Sequence, residues 1–255
     1  MIFTPNPEHI VQSKSDVEFY HLLLQADIRI PDGIGLIVSS RLLFLLGKLP
    51  KPLAERITGV DLSTSLLHLA WQADTTALLV GGKDYQTGKK YTVRIHLGDI
   101  SYTVRDVEQL SGSRTQAPGK KSTDGSKNGL VYHELWWSGG FADVSRPTQT
   151  EVARLHAAIQ TLRPAVVFVA FGAPYQERWV MQEKEFLRQN GVRVVLVVGG
   201  AFDMLLGKLP RAPRWMRAVG LEWLFRLVRE PWRWRRQRAL LVYVWLTLKE
   251  AFRRG

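Results

Sequence analysis

The chain has 255 residues, 45% of them apolar, and a formal net charge of +12. That length can bury one large core with an appendage, and the lack of any cysteine excludes disulfides and thiolate metal sites and suits a reducing compartment. No apolar run reaches the roughly 18–20 residues that span a bilayer, and Met1 leads into a strand-like segment without a basic leader, so neither a transmembrane helix nor a secretory signal is expected.

Residues 1–4 read as the end of a short strand, stopped by Thr4-Pro5-Asn6-Pro7. Helical spacing then covers residues 8–24. Thr4 and Asn6 stand at this junction, where Asn6 is either a helix cap or a hydrogen-bonding partner for a ligand. Residues 26–30 read as a second short strand that leaves through Pro31-Asp32-Gly33-Ile34-Gly35 into an apolar helix over 34–46. Asp32 is therefore a carboxylate at the carboxyl end of a strand and just before a helix. It reads either as an N-cap or as a general base whose pKa an apolar-walled crevice raises. A helix over 62–72 and a buried strand over 76–80 follow, and Gly81-Gly82 ends that strand. Glycines at such a turn let backbone N–H groups meet phosphate, but no GxGxxG or GxxxxGK[ST] pattern accompanies them.

Residues 91–97 and 100–104 alternate as a hairpin does, residues 111–128 form a Ser/Gly/Lys-rich loop, and a strand over 130–137 precedes a helix over 148–161. The run 166–171 is short, β-branched and aromatic, which predicts a strand buried on both faces. Gly172-Ala173-Pro174 turns it into a helix whose first turn carries Gln176, Glu177 and Arg178, where side chains and free N–H groups can meet a ligand. A strand over 193–198 runs into Gly199-Gly200-Ala201-Phe202-Asp203. Alternating strands and helices with glycine turns predict an α/β fold, a mostly parallel Rossmann-like sheet flanked by helices.

The C-terminal segment has a different composition. Residues 208–255 hold thirteen Lys/Arg against three acids and five of the nine tryptophans, a net +10 that leaves +2 for the other 207 residues. We therefore expect an α/β domain over 1–207, loop-rich over 98–146, and a basic helical appendage over 208–255. A basic amphipathic helix is predicted for 215–228, ended by Glu230-Pro231. The Arg/Trp-interleaved residues 232–236 and the apolar stretch 239–248 follow. Such interleaving suits an anionic membrane surface, with Trp at headgroup level and Arg at lipid phosphate. Binding of nucleic acid and a packed helical pair with a solvated basic face are the rival readings.

Six segments in order give the sequence a family resemblance: TPNPEHIV (4–11), PDGIG (31–35), ERITGVDL (55–62), FGAPYQERW (171–179), GGAFD (199–203) and RAPRWMRAVGLEWLFRLVREPWRWRR (211–236). Together they resemble the WecG/TagA/CpsF glycosyltransferases of bacterial surface-polymer synthesis. The resemblance implies inverting, metal-independent transfer of an N-acetylmannosamine-type sugar from a UDP donor to undecaprenyl-diphosphate-linked N-acetylglucosamine. It implies no cofactor and no nucleic acid, a peripheral place on the cytoplasmic face of the plasma membrane, and a homo-oligomer. Asp32 matches the family's catalytic aspartate, and Thr4 and Gln176 match pocket positions near it. Arg226, Arg233 and Arg236 fall where appendage arginines meet the donor diphosphate, and Asn6, Gly81, Gly82, Gly199, Gly200 and Asp203 fall on the pocket lining.

The chemistry of these residue types agrees with that pattern. A single displacement needs one base on the acceptor hydroxyl, which Asp32 can supply. Charge developing on the leaving diphosphate suits guanidinium forks. The chain departs from the family pattern in two places. It begins almost on the TPN segment, before which members of the family carry a strand and a helix, so an edge element of the sheet is expected to be missing. Residues 88–144 also match poorly.

Overall fold

The computed structural model describes residues 1–82, 92–112, 122–123 and 131–253; the 111–128 loop lies mostly outside the described residues. From the amino terminus come β1 (Ile2–Phe3), α1 (Pro7–Ser15), α2 (Val17–Leu24), β2 (Ile28–Arg29), α3 (Ile34–Leu45), α4 (Gly59–Gln72) and β3 (Ala77–Gly81). The middle of the chain holds β4 (Thr92–Leu97), β5 (Ile100–Asp106), β6 (Ser122–Thr123), β7 (Val131–Ser138), α5 (Gln149–Leu162) and β8 (Val166–Ala170). Then follow α6 (Tyr175–Gln182), α7 (Lys184–Gln189), β9 (Val194–Val197), α8 (Phe202–Leu205), α9 (Arg214–Ala218), α10 (Glu222–Arg229) and α11 (Trp234–Ala251). The chain forms two compact units, one of Met1–Ile2 with Gly59–Leu209 and one of Phe3–Thr58 with Pro210–Gly255.

In the first unit the strands run in the order β1-β9-β8-β3-β7-β5-β4, with β6 beside β7 off that path. The pairs are parallel except β4 with β5 and β6 with β7, so the expected hairpin is present inside a mostly parallel sheet. Residues of one parity, among them Leu79, Phe168, Leu196, Trp137, Tyr102 and Val104, form one face, and Val60, Leu67, Ala70 and Trp71 of α4 pack on it with Phe202–Leu206. The alternate residues Leu78, Val80, Val167, Val169, Val195 and Val197 are buried too. The central strands are therefore covered on both faces, which is why they read as unbroken apolar runs.

Several polar atoms carried into this core find partners. The Tyr102 hydroxyl donates to the Leu205 carbonyl at 2.6 Å, and the Trp137 indole N–H donates to the Gly81 carbonyl at 2.9 Å. The Trp71 ring stacks on His133 at 4.6 Å while its N–H donates to the Glu134 carbonyl. The α5 helix starts with a capping box, Thr148 and Glu151 each satisfying the other's backbone N–H.

In the second unit the Phe3 and Pro5 carbonyls accept from the Ile30 and Asp32 N–H groups, so β2 runs parallel to the end of β1. The single helix expected over 8–24 is two helices. Asp16 ends α1 in an extended conformation, and its carboxylate caps α2 by accepting from the Phe19 N–H at 2.9 Å. The helix expected over 215–228 is likewise broken into α9 and α10. Gly220, between them, has a φ of +78° and leaves no room for a Cβ, which would lie 2.9 Å from Ile34. The helix expected over 62–72 begins three residues earlier, at Gly59. The amino- and carboxy-terminal segments pack together: α11 lies against both α1 and α3.

Gly81 ends β3 at a φ of +123°, and a Cβ there would sit 2.5 Å from the Ala170 carbonyl oxygen of the neighbouring strand. Gly81→Ala should therefore lower stability by on the order of 3 kcal/mol through backbone strain and overpacking. A urea unfolding curve checks it; an unchanged midpoint would show that β3 and β8 can separate at this point.

Candidate active site

The register of the parallel strands brings their carboxyl ends to one edge of the first unit. Gly81 pairs with Ala170, Val80 with Ser138, and Val169 with Val197. Four glycine turns leave from that edge: Gly81-Gly82, Gly139-Gly140, Gly172 and Gly199-Gly200. This is the side of an open α/β sheet on which ligands bind. The missing side chain at Gly81 is accounted for by β8. At Gly199 a Cβ would meet nothing within 4 Å, but its φ of +46° favours glycine. Gly140 clears the Phe171 ring, whose edge a Cβ would strike at 2.5 Å, and Phe171 stacks on Phe141 at 5.2 Å. Asp203 lies in the first turn of α8, and its carbonyl accepts from the Lys208 N–H.

At the start of α6 lies a buried polar pair. Gln176 and Glu177 are each 1% exposed. The Gly172 N–H donates to Gln176 Oε1 at 3.2 Å, and Gln176 Nε2 donates to Glu177 Oε1 at 3.0 Å. This network decides which way the amide faces: its oxygen must accept from the turn and its nitrogen must donate to the carboxylate. The other amide hydrogen of Gln176 makes no hydrogen bond among the described residues. Glu177 Oε2 and the Trp179 indole nitrogen, both buried, have no hydrogen-bond partner among the described residues. Burial pushes the Glu177 carboxyl up to about 7, and the hydrogen bond from Gln176 holds it back only in part. Sequence inspection sees Glu177 only as a polar residue in a helix's first turn, since nothing local to it announces burial.

The second unit holds the other group of expected site residues. Thr4 is buried at the end of β1. Asn6 caps α1, its Oδ1 accepting from the His9 N–H at 3.1 Å, so the capping reading of that residue holds. Asp32 is not the cap of α3, because Gly33 occupies that position with a φ of +114°. Its backbone N–H is bound to the Pro5 carbonyl at 2.9 Å, which places Asp32 beside the segment carrying Thr4 and Asn6. The turn is tight: a Cβ on Gly33 or Gly35 would meet the Pro7 ring at 3.2 or 3.0 Å.

The same unit supplies cations. Arg226 pairs with the buried Glu230 at 3.5 Å, and Arg211 lies 4.0 Å from the buried Glu222. The Arg56 guanidinium donates to the Arg217 carbonyl at 3.1 Å. Arg41, Arg56 and Arg217 line a pocket of about 270 Å³ with Ile34, Glu55 and Gly220, two residues along the chain from Asp32 at its nearest. Composition and spacing pointed to none of these three arginines as site residues, because their convergence is a tertiary fact. The side chains of Arg233 and Arg236 lie outside what the structure describes. Among the described residues no group of three or more His, Asp or Glu could hold a metal ion.

The model of the glycosyl transferase WecG/TagA/CpsF family matches residues 1–97 and 133–255. The chain belongs to this family. The match passes over residues 98–132, within the 98–146 stretch expected to be loop-rich. Among relatives of this WecG/TagA/CpsF member is the N-acetylglucosaminyldiphosphoundecaprenol N-acetyl-beta-D-mannosaminyltransferase of Bacillus subtilis (strain 168). It is 28% identical over 250 residues, covering 98% of this chain and 79% of the relative. The protein of the same name from Bacillus spizizenii (strain ATCC 23059 / NRRL B-14472 / W23) is 31% identical over 248 residues, covering 97% and 78%. The WecG/TagA/CpsF resemblance drawn from six short segments thus extends over most of the chain.

The buried carboxyl of Glu177 makes a pH signature. Its value rises from the ordinary 4.5 to about 7 on folding, so between these pH values the folded state holds a proton the unfolded state has lost. Stability from this group is complete below about pH 4.5 and falls as pH rises through 7. Glu177→Gln should remove that slope and gain up to about 3 kcal/mol over the native chain at pH 8, with little difference at pH 4.5. Denaturant unfolding at the two pH values checks it; parallel curves for the two proteins would show that Glu177 is not desolvated.

Proposed function

We propose that this chain is an inverting, metal-independent glycosyltransferase. It moves an N-acetylmannosamine-type sugar from a UDP donor to undecaprenyl-diphosphate-linked N-acetylglucosamine. The observation that carries the reading is the near full-length likeness to two transferases named for that acceptor and sugar. The position of Asp32 supports it: a carboxylate outside the helix cap, held by its backbone on a glycine turn between two strand ends.

In this mechanism Asp32 takes the proton of the acceptor hydroxyl as that oxygen attacks the anomeric carbon, and the bond to the UDP oxygen breaks in the same step. Gln176, oriented by Gly172 and Glu177, donates its remaining amide hydrogen to the sugar. The glycine turns at Gly82, Gly199 and Gly200, with Asp203, line the nucleotide seat. Guanidinium groups balance the charge on the leaving diphosphate: Arg226, Arg233 and Arg236, as the resemblance implies, together with the Arg56–Arg217 pocket. The lipid acceptor explains a basic, Trp-rich carboxyl-terminal segment in the same chain, which we assign to the anionic membrane surface on the cytoplasmic face.

The test is UDP release from UDP-sugars with a lipid-diphosphate-linked N-acetylglucosamine analogue. Asp32→Asn should lower kcat by about 10²–10⁴ with thermal unfolding unchanged, the scale of a lost general base. Normal turnover by this variant would remove Asp32 from the role, and absence of UDP release from the native chain with any UDP-N-acetylhexosamine would sink the reaction itself.

A further inference from the structure

The apolar surface of the second unit extends well beyond the basic carboxyl-terminal segment. The α3 helix and the loop after it, IGLIVSSRLLFL followed by LGKLPKPLA, contain no acid from Gly33 to Ala54, and their charges are Arg41, Lys48 and Lys51. One side of the helix is anchored, with Leu36, Ile37, Ser39 and Ser40 buried. The other side and the carboxyl end are not: Val38, Phe44, Leu45, Leu46, Leu49 and Leu53 are exposed, Leu45 by 79%. An apolar helix that keeps its leucines in water calls for a partner that the described residues do not supply.

This surface is continuous with that of α11. Contacts between the two helices advance together. Gly35 faces Tyr243, the Ser39 hydroxyl accepts from Thr247 at 3.2 Å, and Lys48 Nζ donates to the Arg253 carbonyl at 2.7 Å. The helices therefore lie side by side and parallel, with their carboxyl ends at the same end of the unit. There Leu248 and Phe252 of the α11 end are also exposed, Phe252 by 77%. Next to them opens a groove of about 670 Å³. Ile10, Leu43 and Leu246 give it apolar walls, and Lys14, Lys249 and Arg253 stand on its lining against one acid, Glu250.

We infer that the carboxyl half of α3 and the loop through Leu53 form a second membrane-contacting element, entering the headgroup layer of anionic lipid beside α11. The inference rests on the membrane role proposed for the carboxyl-terminal segment and adds to it a segment from the amino-terminal part of the chain. The occupant follows from the chemistry: leucines and a phenylalanine meet acyl chains, and an acid-free fringe of Arg and Lys meets lipid phosphate. Twelve residues rise about 18 Å, too short to cross the hydrocarbon layer, so α3 can only lie in or dip into the interface.

The full chain is floated with vesicles of phosphatidylglycerol and phosphatidylcholine. Leu45→Glu and Leu49→Glu should each lower partitioning about ten-fold or more, with circular dichroism and thermal unfolding as in the native chain; Leu45→Ser serves if the acidic variant does not fold. Phe252→Glu in the carboxyl-terminal segment is the companion variant. Native binding by the α3 variants with loss in Phe252→Glu overturns this inference and leaves the carboxyl-terminal role intact. Native binding by all the variants overturns both. If light scattering shows a dimer that Leu45→Glu splits while vesicle binding is unchanged, a second copy covers this face and the lipid assignment fails.

Discussion

The double-sided burial of β8 is the constraint on which the first unit depends. Val167, Phe168 and Val169 have no exposed surface, and the strand is hydrogen-bonded on one side to β3 and on the other to β9. A strand held in this way cannot slip by one residue without turning Phe168 to the opposite face. Its end, and therefore the position of Gly172, is set by core packing. The Gly172 N–H then fixes the amide of Gln176, and Gln176 in turn holds the carboxyl of Glu177. A chain of determinants thus runs from apolar packing to the orientation of one amide hydrogen.

The second unit is organised by a different rule, the meeting of chain ends. The segment with Asp32 and the segment with Arg226 belong to one compact unit although nearly 200 residues separate them. The carboxyl-terminal helices are consequently part of the structure that positions the aspartate turn: a Cβ on Gly35 would meet the α11 tyrosine Tyr243 at 3.7 Å, and one on Gly220 would lie 2.9 Å from Ile34. A basic, aromatic segment that packs here has both a structural duty and free cationic surface. Buried acids pair with some of that charge, as Glu230 does with Arg226, since a lone ion there is costly to desolvate.

Much of this was legible in the residues. The β-branched run before Gly172, the alternation in the 91–104 hairpin and the helical spacing over 148–161 are local signals, because their period reports burial or backbone bonding within a few residues. Asn6 caps α1, which is one of the two roles its place in the sequence allowed. Local signals misled where one residue outweighed a longer pattern. Asp16 divided an apparently continuous helix because its carboxylate caps the second half, and Gly220 divided another because the chain turns there against Ile34.

By itself, then, the sequence determined the α/β alternation, the glycine turns, the charge asymmetry and the family. Each is carried by residue type and near spacing, and each survives whatever the distant chain does. Only the tertiary structure decided that the two ends of the chain share a unit, that Arg41, Arg56 and Arg217 line one pocket, and that Glu177 is sealed from water with its pKa near 7. Those are consequences of contacts between segments far apart in the chain, and such contacts leave no periodic trace in the residues that make them.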